Sequence, residues 1–516
     1  MLIHQLFEAS AAAGPGRTAI VCQGQPITYG ELDRRATRWA AWMQDQGIQR
    51  GDRVAVCLDN GVAFVLAMLA CWRCGAVLVP IGPQAHASRL QAVLADAGAG
   101  LLVSQPSVHA RVEAALDNLT ALRSCLWVDP DAAPCAADAT RAPFTALPTI
   151  DLDLAALIYT SGSTGEPKGV MLSHANMVAA ARSVQAYLDL RPDDVLAGLL
   201  PLAYSYGLYQ LLLAFQVGAS VVLERSFAFP VKVLQTLATQ RVSVFAGVPT
   251  TFALWLGLRE AATFNWPELR LVTNAATGLS PETIGRLRAL LPQARLVPMY
   301  GMTECKRISY LPSDQLDARP GSVGRGMPNQ DHWLVDEAGR RLPWGRTGEL
   351  VVRGSHVMRG YWNRPDLTAQ ALRPGPLPGE QVLHTGDLFR TDDEGWLYFV
   401  GRRDDIIKCR GEKVSPRAIE DVLYTLDSVL EAAVAGVPDP LLGEAIVAWV
   451  APRPGRRLTE REVVRHCKDQ LDAGMAPQRV VFVDTLPKTD SGKVCKRLLA
   501  AAAASPNDTS PERTLR

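Results

Sequence analysis

The sequence predicts an α/β fold: a large N-terminal domain of parallel sheets flanked by helices, a small β-rich subdomain, and a small α+β domain at the C-terminus. Three observations carry this prediction. Short β-rich runs alternate with helical stretches through the first part of the chain, residues 349–400 turn Gly-rich and strand-dominated, and a new alternation starts after the charged junction Gly401, Arg402, Arg403, Asp404 and Asp405.

Strand-like runs fall at 54–58, 77–80, 101–104 and 157–160, separated by helical stretches such as 29–46 and 64–73. The pattern resumes at 242–248, 269–274 and 296–300. Between 195 and 223 there is no charge over about 29 residues, enough on length alone for a transmembrane helix. Its content disagrees. Pro201, Tyr204, Tyr206, Gly207, Tyr209, Gln210, Gln216 and Gly218 divide it into a strand, a turn, a short helix and a strand at 220–223, so buried core beside a pocket is expected and no membrane span. The β-rich subdomain is expected to have strands at 348–353, 382–385 and 396–400. Beyond the junction, a helix at 416–426 sets Ile419, Val422, Leu423 and Leu426 on one face, followed by strands at 431–437 and 445–450, a helix at 459–471 and a strand at 480–484. The expected boundaries are 1–402 for the large domain and 403–504 for the small one, with 505–516 a disordered tail lacking apolar periodicity.

Composition narrows the function. The 53 Lys+Arg nearly cancel the 52 Asp+Glu, so there is no broad basic field for nucleic acid or an anionic membrane, and an anionic ligand must be met locally. Apolar residues at 48% and charged residues at 20% match globular proteins and exclude collagen-like or coiled-coil chains. The 10 cysteines are too sparse for a disulfide framework and are read as reduced; Cys71 and Cys74 form a CxxC with no second metal-binding pair. His4 and Glu8 stand where a signal peptide would be basic and then apolar. A cytosolic multidomain enzyme is expected.

The strongest local signal follows the apolar run 154–158. Thr160, Ser161, Gly162, Ser163, Thr164 and Gly165 give backbone N–H and hydroxyl donors that can converge on a polyphosphate, and Lys168 adds a point charge, so the loop should bind a nucleoside triphosphate. Pro167 and Gly169 around the lysine break the Walker pattern and disfavour a P-loop NTPase. Further motifs follow in order: Leu200, Pro201 and Leu202 with Tyr204, Ser205, Tyr206 and Gly207; residues 274–280; Met299, Tyr300, Gly301, Met302, Thr303 and Glu304; Gly348, Glu349 and Leu350; Tyr361, Trp362 and Asn363; Thr385, Gly386 and Asp387; the 401–405 junction; and residues 487–493, ending in Lys493. Taken together, and spanning nearly the whole chain, these motifs resemble the adenylate-forming superfamily of acyl-CoA synthetases, peptide-synthetase adenylation domains and firefly luciferase.

The resemblance implies that ATP and Mg2+ convert a carboxylic acid to an acyl adenylate with release of pyrophosphate, and that the acyl group then passes to a thiol. An ordinary carboxylic acid, with a pKa of ~4–5, is already ionised at pH 7 and needs no general base. The obstacle is an anion approaching an anionic phosphate, so cations and donors must neutralise charge at the α-phosphate. By the resemblance, Thr160, Ser161, Gly162, Ser163, Thr164, Gly165 and Lys168 hold phosphates, Tyr300 and Gly301 meet adenine, Thr303 touches the α-phosphate and Glu304 holds Mg2+. Asp387 accepts the ribose hydroxyls, Arg402 supports ribose and phosphate, and Lys493 bridges carboxylate and α-phosphate; Thr160, Lys168, Glu304 and Lys493 are the expected catalytic residues. The small domain is expected to be mobile, turning about Asp404 to bring the segment around Gly411 to the thiol route, where Arg410 replaces a frequent glycine.

The acyl pocket implied is Tyr204, Ser205, Tyr206, Val248, Pro249, Asn274, Ala275, Ala276, Thr277 and Met299. Amino-acid-activating relatives usually place Asp where Ser205 stands, and a buried ammonium without a carboxylate is costly, so an acid without an α-amine is expected. Aliphatic and aromatic acids both stay open, as do CoA and the phosphopantetheine of an acyl carrier protein as acceptor, so that a carrier-protein acyl or amino-acid ligase of a biosynthetic pathway is the alternative to an acyl-CoA synthetase. Cys305, Lys306 and Arg307 read as a solvated basic patch, with contact to an acceptor phosphate as the alternative. A luciferase-type oxygenase and a noncatalytic nucleotide-binding protein are the remote alternatives; Lys493 and Glu304 speak against the second.

Overall fold

The computed structural model describes every residue except 118, 132–136, 138–142, 162–166, 411, 472–473, 489–493 and 505–516. It is a mixed α/β protein whose chain divides into two compact units, Met1–Trp333 with Val351–His384, and Leu334–Leu350 with Thr385–Arg516. This division by compactness passes through the β-rich segment, not through the charged 401–405 junction. The tail 505–516 lies outside the described residues.

The larger unit holds two mostly parallel sheets. In the first, the strands run in the order Ser124–Trp127, Ala99–Ser104, Arg53–Cys57, Val77–Pro80, Leu154–Ser161 and Pro167–Ser173. All neighbours are parallel but the last two, which form an antiparallel hairpin. The helix Val62–Arg73 is buried on every face, which its uninterrupted apolar sequence from Val62 to Trp72 permits. Cys71 sits in that helix and Cys74 just after it; both are buried, and desolvation raises both thiols, Cys74 to about 12, which suits packing rather than metal or redox work.

The second sheet has the order Gln25–Thr28, Thr18–Cys22, Ser220–Leu223, Val195–Gly198, Val244–Gly247, Leu271–Asn274, Arg295–Tyr300, Ser309–Tyr310 and Arg325–Gly326. From Thr18–Cys22 to Arg295–Tyr300 it is parallel, with antiparallel pairs at both edges. After Val195–Gly198 the chain passes to one side, to Ser220–Leu223, then returns to the other side, to Val244–Gly247. Connections that leave neighbouring parallel strands in opposite directions open a crevice at the strands' carboxyl ends. The uncharged stretch resolves into Val195–Gly198, the helix Ser205–Val217 and Ser220–Leu223, as its tyrosines and glycines predict. Among the described residues no helix is long and apolar enough to cross a membrane.

The smaller unit carries a long antiparallel pair, Val429–Asp439 with Gly443–Pro452, extended by Ile407–Cys409 and, in parallel, by Arg479–Phe482. Ile419 and Leu423 of the helix Pro416–Leu423 pack with Ile407, Val434, Ile446 and Val463. A reciprocal cap between Thr459 and Glu462 starts the helix Glu460–Gln470. A last helix, Lys496–Ala504, was not expected: its alanine run has high helix propensity but little apolar periodicity.

Candidate active site

The hairpin Leu154–Ser161 and Pro167–Ser173 sets Thr160 opposite Lys168 and the backbone of Ser161 opposite Pro167, on the two sides of the expected phosphate loop. Gly162, Ser163, Thr164 and Gly165 lie outside the described residues. A Cβ at Gly169 would stand 2.9 Å from the Tyr159 ring, which fixes glycine there, and the Tyr159 hydroxyl donates to Asp96 at 2.6 Å. A third segment locks the outer strand: Trp362 N–H donates to the Gly169 carbonyl at 2.8 Å and Arg359 N–H to that of Met171 at 2.9 Å. This sets Tyr361 beside the strand Pro167–Ser173. Its ring lies 5.9 Å from Lys168 Nζ, and its hydroxyl donates to Glu304 Oε1 at 2.8 Å.

Glu304 belongs to a tight reversal at the end of the strand Arg295–Tyr300. A Cβ on Gly301 would lie 2.4 Å from the Lys306 carbonyl oxygen, so only glycine admits this approach. Lys306 N–H donates to the Met302 carbonyl at 2.7 Å with φ at +69°, and Ile308 N–H returns to that of Tyr300 at 2.9 Å. Thr303 is half-buried on this turn and Tyr300 half-buried at the strand end. The reversal also corrects one expectation. Cys305, Lys306 and Arg307 are not a solvated patch: all three are buried, Lys306 at 2% exposure and Arg307 at 7%. Composition could not show this, because the inward turn depends on the Gly301 contact and the positive φ of Lys306.

The expected acyl-pocket residues stand at the carboxyl ends of the parallel strands. Tyr204 caps the helix Ser205–Val217, Val248 caps the helix Pro249–Leu256, and both follow the strands that flank the switch point. Asn60 fixes the preceding turn by accepting from Leu202 N–H at 2.9 Å and donating to the Leu200 carbonyl at 2.9 Å. The Tyr206 and Thr273 hydroxyls share a hydrogen bond of 2.8 Å, and Met299 Sδ accepts from the Tyr187 hydroxyl at 2.9 Å. Asn274, 1% exposed, donates to the Thr277 carbonyl at 2.8 Å while its Oδ1 meets no donor. Ala275 is buried, Ala276 holds φ at +75°, and Thr277 is exposed. Lys306 Nζ donates to Ser205 Oγ at 3.4 Å and lies 5.6 Å from the Tyr209 ring; the Arg307 guanidinium lies 4.5 Å over Tyr206.

In the smaller unit, Asp387 and Arg402 are opposite each other across antiparallel strands, and Arg402 Nε lies 3.1 Å from Asp387 Oδ1. Gly386 holds φ at +71° and donates its N–H to Glu349 Oε1 at 3.0 Å, while Asp387 N–H donates to Thr385 Oγ1 at 3.1 Å. Asp404 is exposed in the one-turn helix Arg403–Asp405. Arg410 takes φ at +54°, the region that glycine favours. Gly411 and Lys493 lie outside the described residues; Lys488 forms an antiparallel bridge with Val494 and pairs with Glu431. Tyr361 and Asn60, which contact expected site residues or fix the turn before them, carry no individual role in the sequence reading, and Lys306 and Arg307 are buried where a solvated patch was expected. For Tyr361 the signal was available in its motif, but its contact with Glu304 joins positions far apart in the chain.

Comparison with known proteins identifies the family. A family model described as AMP-binding enzyme matches residues 7–362, and one described as AMP-binding enzyme C-terminal domain matches residues 418–493. The chain is 34% identical to a feruloyl-CoA synthase of an Amycolatopsis species, over 94% of this chain and 96% of that protein. It is 30% identical to a long-chain-fatty-acid–CoA ligase of Escherichia coli, covering 96% and 93% of the two chains. The solved structure of ATP-bound MatB from Rhodopseudomonas palustris superimposes with a TM-score of 0.89 at 30% identity, covering 98% of this chain and 99% of that one. The chain therefore belongs to the AMP-binding enzymes of the adenylate-forming superfamily, as an ATP-dependent, AMP-forming acyl-CoA-synthetase-like ligase.

Proposed function

We propose that this ligase activates a small carboxylic acid lacking an α-amine and passes the acyl group to CoA, with Thr160, Lys168, Glu304 and Lys493 as the catalytic residues. The observation that carries the reading is the Lys168–Tyr361–Glu304 chain, which holds a cation and a carboxylate beside the hairpin that flanks the phosphate loop. Glu304 suits Mg2+: it is a buried hard oxygen donor, and Mg2+ is commonly held by one or two carboxylates together with substrate phosphates and water. When bound, the ion would neutralise phosphate charge. Lys168 and the loop N–H groups would hold the phosphates, Thr303 would donate toward the α-phosphate, and Asp387 with Arg402 would fix the ribose. Lys493 would stabilise charge as the substrate carboxylate attacks. The 1–402 and 403–504 boundaries then mark the parts that move, with Asp404 as the hinge and the Gly411 segment serving the thiol. A thiol with a pKa near ~8.5 needs only access and AMP as leaving group.

Both full-length relatives are named for CoA, so CoA rather than a carrier protein is the acceptor proposed. Lys306 Nζ beside Ser205 places a cation where an amino-acid substrate would need an anion. The test is ATP–pyrophosphate exchange across aliphatic, aromatic and amino acids. Exchange with a non-amino acid supports the reading. Strong, selective exchange with one proteinogenic amino acid overturns it.

A further inference from the structure

Lys306 and Arg307 stand side by side in the protein interior, at 2% and 7% exposure, and among the described residues neither forms an ion pair. Among the described residues, Lys306 Nζ meets Ser205 Oγ at 3.4 Å and the Tyr209 ring. Arg307 donates through Nη1 to the Lys306 carbonyl at 2.8 Å, lies over Tyr206, and leaves its buried Nε without an acceptor. Two neighbouring buried cations repel and lose hydration, an arrangement that persists when something else supplies the negative charge. Glu304 acts electrostatically on Lys306 without forming an ion pair with it, and one of its oxygens already accepts from the Tyr361 hydroxyl. The contacts of Lys306 and Arg307 with Ser205, Tyr206 and Tyr209 lie along the helix Ser205–Val217.

We propose that Lys306 and Arg307 receive a second carboxylate of the acyl substrate, so that the acid activated by this enzyme is a dicarboxylic acid. The inference rests on the acyl site proposed above. One carboxylate reacts at the α-phosphate, and the other lies against Lys306 Nζ and the free Nε of Arg307, where charge-assisted hydrogen bonds replace those lost to water. The physical contrast with a plain fatty or aromatic acid is sharp: its apolar end would leave both cations buried and unpaired.

The test compares exchange by the full-length enzyme with dicarboxylic acids of graded length and with their monomethyl esters, which keep the shape and lose the second charge. The diacid of best length should exceed its monoester at least tenfold in kcat/KM, and Lys306→Met and Arg307→Gln should each reduce that ratio at least tenfold. A ratio taken within one preparation does not depend on the fraction folded. A wild-type preference for monoesters, or a ratio unchanged in both variants, overturns the inference; the second result would place the cations on groups common to both substrates. If no acid supports exchange, the activation reading fails. Thermal melting then decides the inference on its own: stabilisation by succinate or glutarate that is lost in Lys306→Met sustains it, and no stabilisation overturns it.

Discussion

Replacing Lys306 with Met should make the free enzyme more stable, and more so at low pH. The folded protein holds this ammonium at about 7 against an ordinary 10.5, through burial first, partly offset by Glu304 and reinforced by Arg307. Tyr209 and Ser205 complete its surroundings. The sign follows from proton counts. Between pH 7 and 10.5 the unfolded chain binds more protons at this position than the folded one, so stability rises with pH across that window. Below pH 7 the full deficit is present, on the order of 5 kcal/mol for a fall from 10.5 to about 7. Methionine has a similar unbranched shape and no charge to desolvate. If half of the deficit is recovered, Lys306→Met melts about 2–3 °C above wild type at pH 6, and the gap narrows at pH 9. The assay is thermal melting of both proteins at both pH values, without substrate. A variant no more stable than wild type at pH 6, or a gap equal at pH 6 and 9, would refute the argument that this lysine is held in place against stability.

Lys493→Ala should lower exchange by about a hundredfold or more, through loss of a charge-assisted contact worth about 3 kcal/mol, while transfer to CoA from preformed adenylate is retained; exchange within a few-fold of wild type would remove Lys493 from the chemistry. Asp387→Ala should raise the KM for ATP at least tenfold, since hydrogen bonds from ligand hydroxyls to a charged acceptor contribute about 1.5–3 kcal/mol; an unchanged KM would show that the carboxylate serves only its pair with Arg402. Asp404→Pro fixes φ and restricts Arg403, so it should suppress thioester formation far more than exchange. Equal loss of both half-reactions would indicate general damage instead of a blocked hinge.

Much of this architecture was legible because periodicity reports burial directly. The strand Val77–Pro80 and the pair Val195–Gly198 and Ser220–Leu223 fall where apolar runs are bounded by glycine, proline or polar residues. The helix Pro416–Leu423 stops short of the expected 426, where the apolar spacing continues but the chain turns into Val429–Asp439. The strand Leu154–Ser161 was readable from the apolar run that forms it. What could not be read was the inward direction of Lys306 and Arg307, since a basic dipeptide is ordinarily solvated and only the Gly301 approach and two backbone hydrogen bonds turn this one toward Ser205 and Tyr206. The link from Tyr361 to Glu304 was hidden for a related reason: it depends on the register of 359–362 against Pro167–Ser173, which no local pattern encodes.

The central claim is that the acid passes through an acyl adenylate, and oxygen transfer tests it most directly. With an 18O-labelled carboxylate substrate, attack on the α-phosphate places one carboxylate oxygen between carbon and phosphorus, and thiol attack on the acyl carbon leaves that oxygen on AMP. Mass spectrometry after turnover with ATP and CoA should find one 18O per AMP, unlabelled pyrophosphate and an equal amount of acyl-CoA. Label in inorganic phosphate with ADP as the nucleotide product, or unlabelled AMP beside acyl-CoA, would contradict it.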